Sequence, residues 1–156
     1  MDLTRLRLGE VLSGAAAVAL LATLFFDWNR DRGSAAMGVS AGTESGWSSL
    51  GVVMLLLLLV AIGLALALVF TTAGKRPAAI PVGAAVLTTG VGIVMTIVLA
   101  IRVLFLDDSL VAAYLGLLFM LLIPVGSWIA LADERTDAPY SAAPDLPRRP
   151  APPAAA

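Results

Sequence analysis

The sequence predicts an all-α membrane protein in which an antiparallel four-helix transmembrane bundle precedes a disordered, proline-rich tail. The first observation is composition: 60% of the 156 residues are hydrophobic, 13% are charged and the mean hydropathy is +0.96. The second is an uncharged run from Trp47 to Thr72. The third is that three further apolar runs are separated from it by short polar links. A soluble domain carries roughly 25% charged residues, so this composition favours a chain in lipid.

The apolar runs set the boundaries of the predicted spans. The run from Trp47 to Thr72 exceeds the roughly 20 apolar residues that cross a hydrocarbon core about 30 Å thick. We predict one transmembrane domain over residues 1–132, with spans at 8–28, 48–72, 78–106 and 110–132. The first run also resembles a secretory signal peptide, but it ends in FFDW without a small-x-small cleavage site. We therefore expect it to be retained as a span.

Composition also removes several classes of chemistry. The chain has no cysteine and no histidine, which excludes disulfides, thiol nucleophiles, and metal or haem ligation through either side chain. A formal charge of -1 gives no global field for nucleic acid. We expect no enzymatic activity, no cofactor, no metal and no nucleic-acid partner.

The link between the first two spans reads NRDRGSAAMGVSAGTESG and has no apolar periodicity. It predicts a flexible loop. Trp28 and Trp47 bracket this loop, and Trp128 lies near the inner, carboxyl-terminal end of the last span. Amphipathic indoles at helix ends favour the headgroup layer, so we predict that all three are interface anchors rather than ligand contacts.

The third span carries small residues at four-residue steps along one face. Such residues let helix backbones approach closely in lipid, so this helix is the predicted packing centre. The residues of this ladder are Ala84, Thr88, Gly92, Thr96 and Ala100. The same spacing recurs more briefly at Gly9, Ser13 and Ala17, at Gly63 and Ala67, and at Gly126 and Ala130.

Arg102 is the one basic residue inside an apolar run, about one turn before Asp107 and Asp108. Its guanidinium either extends to the headgroups, or pairs with one of these two carboxylates, or forms a substrate or lipid-phosphate site. In the last span, Pro124 is expected to kink the helix and to free the carbonyl of Met120.

The tail, residues 133–156, contains six of the nine prolines and little apolar bulk, which predicts disorder. Prolines recur there every third residue, the period of a polyproline II helix, at Pro144, Pro147, Pro150 and Pro153. The segment is therefore either a linker or a ligand for a cytoplasmic partner.

Counting basic residues sets the orientation. With both termini in the cytoplasm, that side holds seven basic residues against three outside, which satisfies the positive-inside rule in a plasma membrane. The seven are Arg5, Arg7, Lys75, Arg76, Arg135, Arg148 and Arg149, and the three are Arg30, Arg32 and Arg102.

Three segments carry a family resemblance: GEVLSGAAAVALLATLFFDW, the loop end SGW, and GSWIALADER. They resemble a group of uncharacterised small four-helix membrane proteins of high-G+C Gram-positive bacteria. This resemblance implies a four-span plasma-membrane protein and no particular activity. The pattern of Trp followed by Gly-Trp around the outer loop is also similar to claudin-type four-span proteins, but their outer-loop cysteine pair is absent here.

Two functional hypotheses follow. The first is a non-catalytic membrane protein that associates through its helices, as a homo-oligomer or within a larger membrane complex, and contacts membrane lipids. The second is a transport or lipid-binding protein with a site near Arg102. An intramembrane enzyme has the least support, because no Ser-Lys or paired-Asp arrangement lies within a span.

Overall fold

The computed structural model describes residues 7–31, 42–73, 79–106 and 108–137. Most of them are helical. In chain order the elements are α1 (Leu8–Thr23), β1 (Asp27–Asp31), β2 (Gly42–Ser45), α2 (Gly46–Ser49), α3 (Val52–Ala73), α4 (Ala79–Ile101), a π-helix (Arg102–Leu106) and α5 (Val111–Asp137).

Three long apolar helices and one shorter helix pack together, which confirms a mostly helical membrane architecture. In the described part of the chain, the segments long and apolar enough to span a bilayer are Val52–Ala73, Val82–Phe105 and Val111–Asp133. The shorter apolar helix is α1, whose 16 residues extend about 24 Å. It ends at Thr23, five residues before the predicted boundary, because the chain then turns and enters β1.

The four apolar helices form a ring. α1 packs against α5 and α3, and α4 completes the ring between α3 and α5. The interior contains large apolar side chains from every helix, among them Leu20, Leu58, Leu99, Met120 and Ile123. The first and last helices share the most extensive contact, whereas the sequence predicted that α4 would be the packing centre.

A small antiparallel sheet corrects the all-α prediction and the loop prediction at the two ends of the loop, while residues 32–41 lie outside the described residues. β1 pairs with β2, with Arg30 opposite Thr43. The other edge of β1 bonds to the link before α5: the Arg30 amide donates to the Asp108 carbonyl (3.1 Å), and the Leu110 amide donates to the Trp28 carbonyl (2.6 Å). We call β1, β2, α2 and residues 108–110 the cap. The sheet depends on hydrogen bonds between segments distant in sequence, which local periodicity does not reveal.

The last helix continues past its predicted end. α5 runs to Asp137, five residues beyond the boundary placed at residue 132. It also continues through Pro124. The predicted polyproline II segment, with Pro144, Pro147, Pro150 and Pro153, lies outside the described residues, as does Asp107.

Candidate functional site

Trp28 fixes the cap to the helices. Its indole is 1% exposed, and Nε1 donates to the Thr23 carbonyl at 2.7 Å. A Cβ added at Gly116 of α5 would lie 2.5 Å from the ring, and one added at Gly46 would lie 3.0 Å from Nε1. Glycine at both positions therefore makes room for the indole. The indole therefore lies inside the protein, and its depth relative to the headgroups stays a prediction.

The other two predicted anchors lie at the surface. Trp47 is 36% exposed and Trp128 is 62% exposed. The Trp47 ring contacts Phe25 edge to face, with centroids 5.5 Å apart. Phe25 and Phe26 are both exposed where α1 gives way to β1, so aromatic side chains surround the junction of α1 with the cap.

Arg102 is the first residue of the π-helix, and its side chain bonds to the segment just before α3. Its guanidinium is half-buried, and Nη2 donates to the Ser49 carbonyl at 2.6 Å. Ser49 is the last residue of α2, where helix carbonyls lack intrahelical partners. Asp108 is exposed in the cap and accepts the Arg30 amide through its backbone. Ser109 donates its hydroxyl to the Val103 carbonyl at 3.0 Å, which ties the π-helix to the same link.

The small-residue ladder of α4 faces the rest of the protein. Thr88 and Gly92 are buried, and Ala84, Thr96 and Ala100 are half-buried. A Cβ at Gly92 would lie 3.0 Å from two carbons of the Pro124 ring. The proline of α5 therefore packs directly on the glycine of α4, and the ladder is occupied by a contact within the chain.

Threonine hydroxyls of α4 satisfy polar groups around that proline. Thr96 Oγ1 donates to the Gly92 carbonyl at 2.7 Å and also lies 3.2 Å from the carbonyl of Met120. Met120 is the residue whose intrahelical bond Pro124 removes. The single hydrogen of the Thr96 hydroxyl is thus shared between the Gly92 carbonyl and the Met120 carbonyl, which the sequence predicted would be freed.

A second hydroxyl contact between α4 and α5 was not predicted from the sequence. Thr89 Oγ1 and Ser127 Oγ lie 2.8 Å apart, and both residues are buried. Ser127 also donates to the Pro124 carbonyl at 3.1 Å. The pair links α4 to α5 one turn from the Gly92 contact. The sequence signal for this contact was a serine three residues after a helical proline, because a serine hydroxyl can bond to the carbonyl one turn before it.

The closest backbone approach is between α1 and α5. A Cβ at Gly9 would lie 2.5 Å from the Ala130 nitrogen and 2.7 Å from the Gly126 oxygen. A Cβ at Gly126 would lie 2.6 Å from the Ser13 nitrogen and 2.7 Å from the Gly9 oxygen. Every one of these neighbours is a backbone atom, so the two glycines are required for the crossing.

Two polar side chains are buried beside this crossing. Glu10 is 2% exposed, and its Oε2 accepts the Arg7 amide at 2.6 Å. Ser13 is fully buried, and its hydroxyl has no hydrogen-bond partner among the described residues. The Glu10 contact stabilises the first turn of α1, where backbone amides lack intrahelical partners.

Exposed small residues remain on α3. Gly63 and Ala67 are both exposed, and no described atom lies within 4 Å of a Cβ added at Gly63. Exposed apolar side chains, Val60 and Phe70 among them, flank the pair. No other part of the described protein packs against this face at Gly63.

Comparisons with known proteins give no match: no family model, no curated protein and no solved structure matches this chain. Within the described ranges, no group of three or more Asp, Glu, His or Cys side chains is placed to hold a metal ion. The local geometry of the helices and the cap therefore provides the available basis for a functional proposal.

Proposed function

We propose that this chain is a non-catalytic, multi-pass protein of the plasma membrane that acts by associating through its helices, either with a second copy or within a larger membrane complex. In this proposal α1, α3, α4 and α5 all span the bilayer, and both termini are cytoplasmic. The observation that carries the association is the exposed Gly63 and Ala67 pair on α3.

The distribution of small residues supports this choice of face. Gly92 in the ladder of α4 packs on Pro124. Gly9 of α1 and Gly126 of α5 each pack on the backbone of the other helix. The pair on α3 has the same four-residue spacing but has open space around Gly63. In lipid, a small-xxx-small face allows a second helix to approach closely and gain van der Waals contact.

The helix-association test replaces Gly63 by leucine. We expect Gly63→Leu to reduce crosslinking and energy transfer between labelled copies in liposomes, because the larger side chain prevents close approach. Gly90→Leu is the matched control: Gly90 is also exposed and has open space in the described structure, but Val86 and Val94 lie four residues to either side. Identical association of the two variants and the parent protein would refute the proposed face. Association with other membrane proteins would be detected by the same variants in copurification from mild detergent.

Orientation is tested with introduced cysteines, since the chain has none of its own. An impermeant reagent applied to intact cells should label Glu44→Cys in the exposed hairpin. It should not label Lys75→Cys or Arg135→Cys. The opposite pattern would place both termini outside.

The alternative hypothesis of a solute or lipid-phosphate site at Arg102 has less support. The guanidinium already donates to the Ser49 carbonyl, so ligand binding there would compete with a contact that stabilises the α2–α3 junction. Selective loss of ligand binding in Arg102→Leu, with unchanged stability, would reverse this preference.

A further inference from the structure

A groove of about 490 Å³ opens between α1 and α5 on the side where both approach the cap. Six of its lining residues define its walls: Ala22, Thr23 and Phe26 on one side, and Ala112, Leu115 and Phe119 on the other. The volume falls within the roughly 300–1,000 Å³ typical of small-molecule sites. Three of these residues, Ala22, Phe26 and Leu115, are exposed, so the groove opens at the surface of the helix ring.

The chemistry of the groove is apolar throughout. Its one lining hydroxyl, on Thr23, donates to the Leu20 carbonyl at 2.7 Å and is thereby satisfied within α1. The Thr23 carbonyl accepts the Trp28 indole. A ligand lying along these walls would find no polar group that requires a partner, which suits a hydrocarbon chain.

Backbone hydrogen bonds connect Arg30 of the cap to the segment that leads into the groove wall at Val111. Arg30 follows Phe26 by four residues, and its amide is bonded to Asp108, three residues before Val111 of the groove wall. The Arg30 residue is exposed. Asp108 is exposed nearby, while the Asp27 carboxylate accepts the Thr43 hydroxyl at 2.8 Å. An exposed basic residue beyond the cap end of an apolar groove matches the order of groups in a phospholipid, in which glycerol joins the acyl chains to the phosphate.

We propose that this groove binds one acyl chain of a phospholipid whose phosphate lies near Arg30. The proposal rests on the membrane location given above and does not depend on the association face of α3. We expect a membrane lipid in the groove because the groove opens on the apolar flank of helices that lie in the bilayer under the proposed function.

Trp28 provides a reporter for this site. Its ring lies against Gly116 and is bonded to Thr23, which lines the groove. In a protein with Trp47→Phe and Trp128→Phe, fluorescence comes from Trp28 alone. Bromine atoms on an acyl chain quench indole fluorescence at short range, so a phosphatidylglycerol with brominated chains, added to detergent-solubilised protein, reports occupancy.

We expect saturable quenching with a stoichiometry of one lipid. Ala22→Leu places a larger side chain in the groove and should weaken binding about tenfold, because it displaces part of the buried chain. Ala67→Leu, at an exposed position on α3 and outside the groove lining, is the matched control and should bind as the parent does. Thermal unfolding of both variants, compared with the parent, establishes that they are folded.

The headgroup is tested with a second probe. Arg30→Gln should weaken binding of the brominated phospholipid about threefold, the size expected of an exposed ion pair, and leave binding of a brominated diacylglycerol unchanged. Equal effects on the binding of the two probes would show that Arg30 does not contact the phosphate.

Two outcomes overturn the proposal. Quenching that rises without saturation, or that is identical in folded Ala22→Leu and Ala67→Leu proteins, would show ordinary contact with surrounding lipid. Recovery of the protein as a monodisperse, detergent-free monomer in aqueous buffer would refute the membrane location itself, which separates that failure from failure of the groove.

Discussion

The glycine crossing of α1 and α5 gives the sharpest prediction for stability. In Gly9→Ala the new methyl would lie 2.5 Å from the Ala130 nitrogen and 2.7 Å from the Gly126 oxygen. Ordinary contact begins near 3.4 Å, so the helices must separate by about 0.9 Å. A gap of 0.5 to 1 Å forfeits about a quarter to a half of each contact's attraction, and overpacking of this kind typically costs about 1 to 3 kcal/mol.

Gly90→Ala is the matched control for this substitution. It changes the same residue type in a helix, but no described atom lies within 4 Å of the added methyl. Gly90 lies in the interior of α4 and Gly9 in the first turn of α1, so Gly90→Ala gains more helix propensity, up to about 1 kcal/mol, and this difference adds to the cost of the close contact at Gly9. We therefore expect Gly9→Ala to be less stable than Gly90→Ala by about 1 to 3 kcal/mol.

The assay is unfolding by dodecyl sulfate in mixed micelles, followed by tryptophan fluorescence. Gly126→Ala should show a similar loss, and the double variant Gly9→Ala with Gly126→Ala should lose less than the sum, because one separation accommodates both methyls. Free energies of unfolding of Gly9→Ala and Gly90→Ala that agree within about 0.5 kcal/mol would refute the close crossing.

Three further substitutions test individual hydrogen bonds in the same assay. Trp28→Phe removes the buried indole donor and should cost about 1 to 3 kcal/mol, whereas Trp128→Phe should have little effect; equal losses would contradict the interior position. Arg102→Leu should cost about 1 to 2 kcal/mol because the Ser49 carbonyl loses a charged donor, with Arg102→Lys tested for partial rescue; an unchanged protein would indicate that the side chain only extends to the headgroups. Thr96→Val should cost about 1 kcal/mol by removing the donor to the proline-freed carbonyl, and a neutral result would show that this bond contributes nothing.

The helices could be predicted because lipid imposes a length and a composition on every span. For this reason the sequence located α3 to within a few residues. It also located the point where the link before α5 begins. The spacing of Gly92 and Thr96 also revealed a packing face. Spacing alone does not identify the partner, however, so the sequence ranked this face above the closer crossing at Gly9.

The cap could not be predicted from local pattern. The strands DWNRD and GTES lack apolar alternation, and β1 obtains its second set of hydrogen bonds from residues 108–110. Trp28 has the amphipathic character of both a headgroup anchor and a buried residue with a satisfied indole. Gly116, which admits its ring, lies inside a helix and carries no local sign of that role.

The pairing of β1 with the last link imposes an order on biogenesis. The ribosome releases β1 before the segment that completes it, which comes about 80 residues later and requires roughly 4 to 16 s of further synthesis. During that interval the strand edge is without its partners in residues 108–110, and the indole of Trp28 is without its neighbour Gly116 on α5. A nascent chain interrupted after α4 therefore exposes both, so completion of the cap coincides with arrival of the last helix.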